Sequence, residues 1–209
     1  SISFPFLGIE VNPPRVLELG PLVIHYYGLI IAIGLSLAVV YGCKRCKEFG
    51  LKEDDLMDGV LWIAPFAIVC ARLYYCAFEW EDYRADPIKI LFIWEGGLAI
   101  YGGIIAAFIV GLVFCKVKKK NALALFDLAS FGFFIGQSIG RWGNFVNAEA
   151  YGSVTDLPWG MSINGEAAVH PTFLYESLWN FSLLLLLLIY WKHRKFNGEV
   201  FLLYLDRFQ

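Results

Sequence analysis

Gly140-Arg141-Trp142-Gly143-Asn144-Phe145-Val146-Asn147-Ala148-Glu149 holds the residues best suited to chemistry in this chain: an arginine, two asparagines and a glutamate directly after a long apolar run. Polar side chains beside a lipid-spanning segment are costly unless they bind something. A guanidinium offers a planar fork of donors that matches phosphate oxygens, and neighbouring amides add further donors. Gly140 and Gly143 let the backbone approach a ligand or a neighbouring helix closely. The simpler alternative is a helix end whose polar residues satisfy free backbone groups. It accounts for one such residue better than for the whole cluster.

The elements that position this cluster are membrane helices. Of the 209 residues, 58% are apolar, against roughly 45–50% in a soluble domain. Mean hydropathy is +0.59. The expected fold is all-α, a polytopic helical integral membrane protein. Spanning a bilayer takes about 20 apolar residues. Runs of that kind cover roughly 22–43, 57–78, 97–115, 122–140 and 172–191, with a sixth beginning near 199. No charge-rich linker and no repeat divides the chain, so residues 1–209 are expected to form one transmembrane domain.

Net charge is −2, which makes nucleic acid an unsuitable partner. Cys43 and Cys46 have metal-ligand spacing, but no second pair and no nearby histidine accompany them, so no metal and no cofactor are expected. The remaining cysteines, Cys70, Cys76 and Cys115, fall in apolar segments where a thiol packs as a small hydrophobe. Ser1 to Gly20 is polar and proline-containing, without a basic segment ahead of an apolar one, so no cleavable signal is expected.

Orientation follows from lysine and arginine in short loops. Lys44, Arg45, Lys47 and Lys52 follow the first span, Lys116 and Lys118 to Lys120 the third, and Lys192, Arg194 and Lys195 the fifth. All three clusters place the N-terminus outside, with residues 79–96 and 141–171 also outside. The Arg141 cluster then closes span four at its outer end. Segment 88–96 is apolar but short and reads as an interfacial or re-entrant helix with Trp94 as anchor. Segment 148–171 reads as an exposed, turn-rich loop.

Other polar groupings fall on the same outer half. His25-Tyr26-Tyr27-Gly28 opens span one, Glu95-Gly96-Gly97 and Tyr101-Gly102-Gly103 bracket the start of span three, and His170-Pro171-Thr172 leads to Tyr175-Glu176 in span five. The tyrosines also suit an interfacial belt, and a hydrogen-bonded, non-catalytic role is the simpler one for His25 and His170. Arg72, inside span two, requires an anion or a wet cavity. Pairing with a carboxylate such as Glu176 and holding a ligand phosphate fit it equally. The residues together describe an arginine-containing cavity open to the outer leaflet, with a phospholipid headgroup as a natural ligand. A phospholipid transporter or flippase would use the same arginines as anion sites, but the chain lacks matching interrupted helices in two halves. A phosphotransferase reading of Asp55-x-x-Asp58-Gly59 fails, because Trp62-Ile63 stands where that motif needs Ala-Arg and its downstream aspartates are absent.

Gly140 to Glu149 resembles the signature of the prolipoprotein diacylglyceryl transferases, Gly-Arg-x-Gly-Asn-Phe-x-Asn-x-Glu, without a departure. His25-Tyr26-Tyr27-Gly28-Leu29, Ala71-Arg72-Leu73, Trp94-Glu95-Gly96-Gly97-Leu98 and His170-Pro171-Thr172-x-Leu174-Tyr175-Glu176 resemble that family as well, in its order. The resemblance implies an enzyme of the bacterial cytoplasmic membrane, its active site facing the outer leaflet. Such enzymes move the diacylglyceryl group of phosphatidylglycerol onto the lipobox cysteine of a prolipoprotein signal peptide. It implies Arg141 on the headgroup phosphate, Asn144 and Asn147 as donors, Glu149 orienting Arg141, Tyr27 and His25 at the substrate site, Gly152 among the substrate-binding positions, and Arg72 as a second positive group.

Two departures stand out. Tyr101 occupies a position where many members carry histidine, a candidate base for the thiol. A tyrosine, with an ordinary pKa of about 10, is a poor base at neutral pH. Either Tyr101 positions a group, or a residue such as His25 takes the proton, or no protein base is needed. Members also continue through about two more helices, the first of them carrying an arginine and a glutamate that line the site. Arg207 is a candidate for that arginine, and the chain is expected to lack the family's last helices.

Overall fold

The structure, a computed structural model, describes residues 1–93, 97–193 and 196–206. Among the described residues, five helices are long and apolar enough to cross a membrane. The chain forms two compact units, residues 1–42 with 127–209, and residues 43–126.

The first unit opens with strands the sequence analysis does not expect. β1 (Ile2–Phe4) pairs antiparallel with β2 (Ile9–Val11) and, across the length of the chain, with β5 (Ser162–Ile163). β3 (Val16–Leu19) and β4 (Leu22–His25) form a separate hairpin around Gly20-Pro21. Ile2, Met161, Val169 and Phe173 make a small buried cluster under the sheet. The loop 148–171 is therefore folded back on a core, and only part of it is exposed.

Helix α1 (Tyr26–Arg45) begins four residues later than hydropathy suggests, because Leu22-Val23-Ile24 is spent on β4. Apolar β-branched residues serve a buried strand and a membrane helix equally, so composition does not mark the junction. Leu29, Ile31, Ile33, Leu35 and Leu37 remain exposed along α1, as lipid contact requires. The helix packs on α5 (Ala122–Asn147) at small residues. A β-carbon on Gly34 would meet Ile139 Cβ at 3.4 Å, an approach that glycine permits.

α5 runs through the signature as far as Asn147, two turns beyond the expected end at 140. Its inner part holds Asp127, fully buried, whose carboxylate accepts the backbone N–H of Gly198 (2.7 Å) and Phe201 (3.0 Å). The start of α7 (Glu199–Asp206) is thus capped from another helix. α6 (Thr172–Tyr190) packs beside α5, where the Ser177 hydroxyl donates to the Ser138 carbonyl at 2.6 Å.

The second unit is built on α2 (Glu53–Phe78) and α4 (Ile100–Lys118), joined by the short helix α3 (Trp80–Tyr83) and a 3-10 turn, Pro87–Leu91. That turn stands where an interfacial or re-entrant helix is expected; Trp94, Glu95 and Gly96 lie outside the described residues. α2 and α4 touch closely at Gly102, where a β-carbon would lie 2.5 Å from the Cys70 carbonyl oxygen. Lys120 pairs with Asp55 at 3.1 Å, tying the C-terminal end of α4 to the first turn of α2. Acidic residues at the N-terminus of one helix and lysines at the C-terminus of the other also match the two helix dipoles.

Candidate functional site

The last two turns of α5 carry two faces. Arg141, Asn144 and Asn147 recur every three residues and so are neighbours on one side of the helix. Trp142 and Phe145 point to α6, with ring centroids 5.1 and 4.8 Å from Phe173. Aromatic packing thereby fixes the rotation of the helix end, and the polar face follows from it.

The helix stops in a Schellman turn. Ala148 adopts φ +52°, its N–H donates to the Phe145 carbonyl, and the Glu149 N–H donates to the Asn144 carbonyl at 3.0 Å. Glycine ordinarily takes this place, and an alanine there costs roughly 1–2 kcal/mol. The turn brings Glu149 back over the polar face, where its carboxylate accepts from Asn144 Nδ2 at 3.2 Å and, more weakly, Asn147 Nδ2 at 3.5 Å. Ala150, also left-handed at φ +54°, is held by the Thr172 hydroxyl, which donates to its carbonyl.

One expected pairing is corrected here: the carboxylate on Arg141 is Glu176, at 2.5 Å from Nε, and not Glu149. The pair is partly exposed, with 42% of the arginine and 48% of the glutamate side chain accessible. Nε makes the closest contact, and the terminal nitrogens of Arg141 have no hydrogen bond among the described residues. Glu176 was legible as the end of the His170-Pro171-Thr172 motif, but only the fold shows which arginine it meets.

Tyr27 completes the arrangement. Its ring lies on Gly143, where a β-carbon would sit 2.8 Å from Cδ2 and 3.0 Å from Cε2. His25, two residues earlier, is the exposed last residue of β4. Gly152 serves the backbone: its N–H donates to the His170 carbonyl at 3.0 Å, and a β-carbon would lie 2.8 Å from His170 Cβ. The Tyr175 hydroxyl, for which no sequence signal gives a partner, accepts from Trp159 Nε1 at 2.7 Å and lies 3.1 Å from His170 Nδ1. Below Arg141, an open groove of about 400 Å³ runs between α1, α5 and α6, lined by Ile30, Ile139, Trp142, Leu178 and Phe181. The hydroxyls of Ser138 and Ser177 beside it donate to backbone carbonyls, which leaves an apolar lining.

Arg72 and Tyr101 belong to the second unit. Arg72 is 2% exposed. It donates to the carbonyls of Ile90 (3.0 Å), Gly97 (3.0 Å), Lys89 (2.7 Å) and Phe92 (3.3 Å), and its guanidinium lies 5.2 Å from the centre of the Tyr83 ring. Desolvation pushes the Tyr83 phenol above its ordinary range, against the opposing pull of Arg72, so the ring stays a neutral face for the cation. Four backbone acceptors take the donors that the sequence analysis assigned to a carboxylate or a phosphate. Tyr101, in the first turn of α4, is 67% exposed, and its hydroxyl has no hydrogen-bond partner among the described residues.

Five helices of membrane-spanning length and composition among the described residues define a multi-pass membrane protein. The family model for prolipoprotein diacylglyceryl transferase matches residues 14–207. Curated relatives agree. The phosphatidylglycerol--prolipoprotein diacylglyceryl transferase of Finegoldia magna is 47% identical over 183 residues, 87% of this chain and 73% of that protein. Those of Clostridioides difficile and Lysinibacillus sphaericus are 41% and 43% identical, over 87% and 94% of this chain and 73% and 77% of theirs. The chain belongs to the prolipoprotein diacylglyceryl transferase family.

Proposed function

We propose that this chain transfers the diacylglyceryl group of phosphatidylglycerol to the lipobox cysteine of prolipoproteins, with the end of α5 as its headgroup site. The thiolate sulfur attacks the glyceryl carbon that bears the phosphate. A carbon–sulfur bond forms, the carbon–oxygen bond breaks, and its electron pair leaves with glycerol phosphate; the thiol proton passes to water. A thiol with an ordinary pKa of about 8.5 must lose that proton to react. The departing phosphate gains charge as the bond breaks, so fixed donors aimed at it lower the barrier.

The observation that carries this reading is the free edge of Arg141 on one face with Asn144 and Asn147. Glu176 holds the guanidinium through Nε and leaves both terminal nitrogens for two phosphate oxygens. Glu149 holds the amides of Asn144 and, more weakly, Asn147. Tyr27 bounds the site from α1, and the groove beside Trp142 suits an acyl chain of the donor. His25 and Gly152 contribute the rim, one as an exposed side chain and the other through its backbone. Arg72 holds Lys89, Ile90, Phe92 and Gly97 within its own unit.

The same reading places the protein in the bacterial cell membrane with the N-terminus and the end of α5 outside. Its support is the set of lysines and arginines at the ends of α1 and α4. The experiment is mass spectrometry of a lipobox peptide incubated with the protein and phosphatidylglycerol. A diacylglyceryl mass gain on the cysteine is expected. Unmodified peptide with lipid movement between vesicle leaflets would replace the transferase by a flippase.

A further inference from the structure

We infer that the hairpin Val16–His25 is an interfacial anchor, seated in the membrane leaflet at the N-terminal end of α1. Its register pairs Val16 with His25, Leu17 with Ile24, Glu18 with Val23 and Leu19 with Leu22. Residues opposite each other share a face, and faces alternate along each strand. Leu17, Leu19, Leu22 and Ile24 therefore make one face, and Val16, Glu18, Val23 and His25 the other. The first is wholly aliphatic; the second carries every ionisable side chain of the two strands. At the tip of the aliphatic face, Leu19 and Leu22 are 55% and 56% exposed.

The place of the hairpin fixes what covers that face. β4 runs into α1 without a linker, His25 being followed by Tyr26. The Tyr26 N–H donates to the Arg15 carbonyl at 3.0 Å, which staples the root of the hairpin to the helix start. A 20-residue helix rises about 30 Å, the thickness of the hydrocarbon core, so its first residue sits where acyl chains give way to headgroups. The hairpin begins at that level. A two-stranded ribbon is marginal in water by itself, and β3 and β4 are the only strands of their sheet among the described residues. Acyl chains under Leu19 and Leu22 supply the burial it lacks. The aliphatic face has no basic residue, so the occupant is the apolar boundary of the bilayer and not an anionic headgroup. Anchoring there holds Tyr27, two residues past β4, at headgroup depth against Gly143.

The test reads depth and not turnover, so it stands or fails separately from the transferase reading. Cys43, Cys46, Cys70, Cys76 and Cys115 are replaced by alanine, and single environment-sensitive probes are placed by Leu19→Cys, Leu22→Cys, Glu18→Cys and Val23→Cys. The protein is held in nanodiscs of phosphatidylcholine. Probes at positions 19 and 22 should be blue-shifted and quenched by spin-labelled acyl chains, at low and high salt alike. Probes at 18 and 23 should be quenched several-fold more by aqueous iodide. Equal iodide quenching on both faces overturns the inference. So does shielding at 19 and 22 that spin-labelled lipid does not reach, since a protein surface would then cover them. On the unmodified chain, a photoreactive acyl chain should leave adducts on Leu17–Ile24 as well as on exposed α1 residues such as Leu29. Adducts on α1 without any on the hairpin also overturn it.

Discussion

Arg141→Ala separates the two things this arginine does. Its folded-state partner is Glu176, and both side chains are more than two-fifths accessible. A pair of that exposure contributes about 0–1 kcal/mol to stability, so the variant should unfold within a few degrees of the parent in the same detergent. Its proposed functional partner is a phosphate whose charge grows as the carbon–oxygen bond breaks. Removing one donor to such a developing charge typically costs about 10²–10³ in rate, or about 2.7–4 kcal/mol. Turnover per folded molecule, read by mass spectrometry of the lipobox peptide, should fall by that much. Arg141→Lys keeps the charge but loses the fork: a single ammonium cannot face Glu176 with one edge and two phosphate oxygens with another. It should recover a minor part of the rate. Glu176→Gln leaves the terminal nitrogens in place and only loosens the guanidinium, so a loss of about tenfold or less is expected, and much less in the Arg141→Ala background. Intact turnover with a lowered melting temperature in Arg141→Ala would refute the argument, because the arginine would then be a structural cap.

Gly143→Ala should leave stability nearly unchanged, since alanine's helix preference of about 1 kcal/mol offsets the contact with Tyr27, while moving that ring and lowering kcat/KM for the peptide; unchanged kinetics would show that Tyr27 is not needed where it lies. Arg72→Lys removes the fork that serves four carbonyls and should cost at least about 1–3 kcal/mol, seen as a lower melting temperature and faster tryptic cleavage at Lys89; a silent variant would refute the clasp. Tyr101→Phe should slow turnover about tenfold if the free hydroxyl holds substrate, by about 1–3 kcal/mol for an unpaired partner, and should leave the pH–rate profile between about pH 6 and 9 unchanged; loss of the alkaline rise in that profile would make Tyr101 the base. Cysteine labelling should reach Ser153→Cys in intact cells and Lys118→Cys only after permeabilisation, and the reverse pattern would invert the proposed topology.

The five spans were legible because a run of about 20 apolar residues in water has few other fates. Basic residues at the ends of those runs were legible for the same reason, being costly in lipid. Boundaries were less so, and each miss has a cause. Leu22-Val23-Ile24 is apolar whether it is strand or helix, so the hairpin was absorbed into span one. The sheet β2-β1-β5 joins residues about 160 positions apart, and no local pattern encodes such a pairing. α5 outlasted its expected end because polarity does not stop a helix. The stop is a left-handed residue, and here it is Ala148, which lacks the glycine that ordinarily signals it.

The same distinction governs the site. Residue types identified the cluster of Arg141, Asn144 and Asn147 but not its face on a helix. With span four expected to end at 140, that face exists only because α5 runs on to Asn147, and the sequence did not identify which carboxylate meets which group. Glu149 is nearest in sequence to Arg141, yet the Schellman turn swings it over the amides, and the guanidinium finds Glu176 from α6 instead. That exchange has a chemical consequence. A carboxylate gripping both terminal nitrogens would occupy the edge a phosphate needs, whereas one held at Nε orients the arginine and leaves that edge open. The strained alanine and the second glutamate thus act together: one carboxylate is kept on the amides, the other on Nε of the guanidinium. Ala148→Gly relaxes the turn and should raise stability by roughly 0.5–1 kcal/mol. Because glycine takes the left-handed conformation freely, the position of Glu149 should hold and turnover should not fall. If turnover falls with stability raised, the methyl group itself is part of the site, and the turn is not merely its frame.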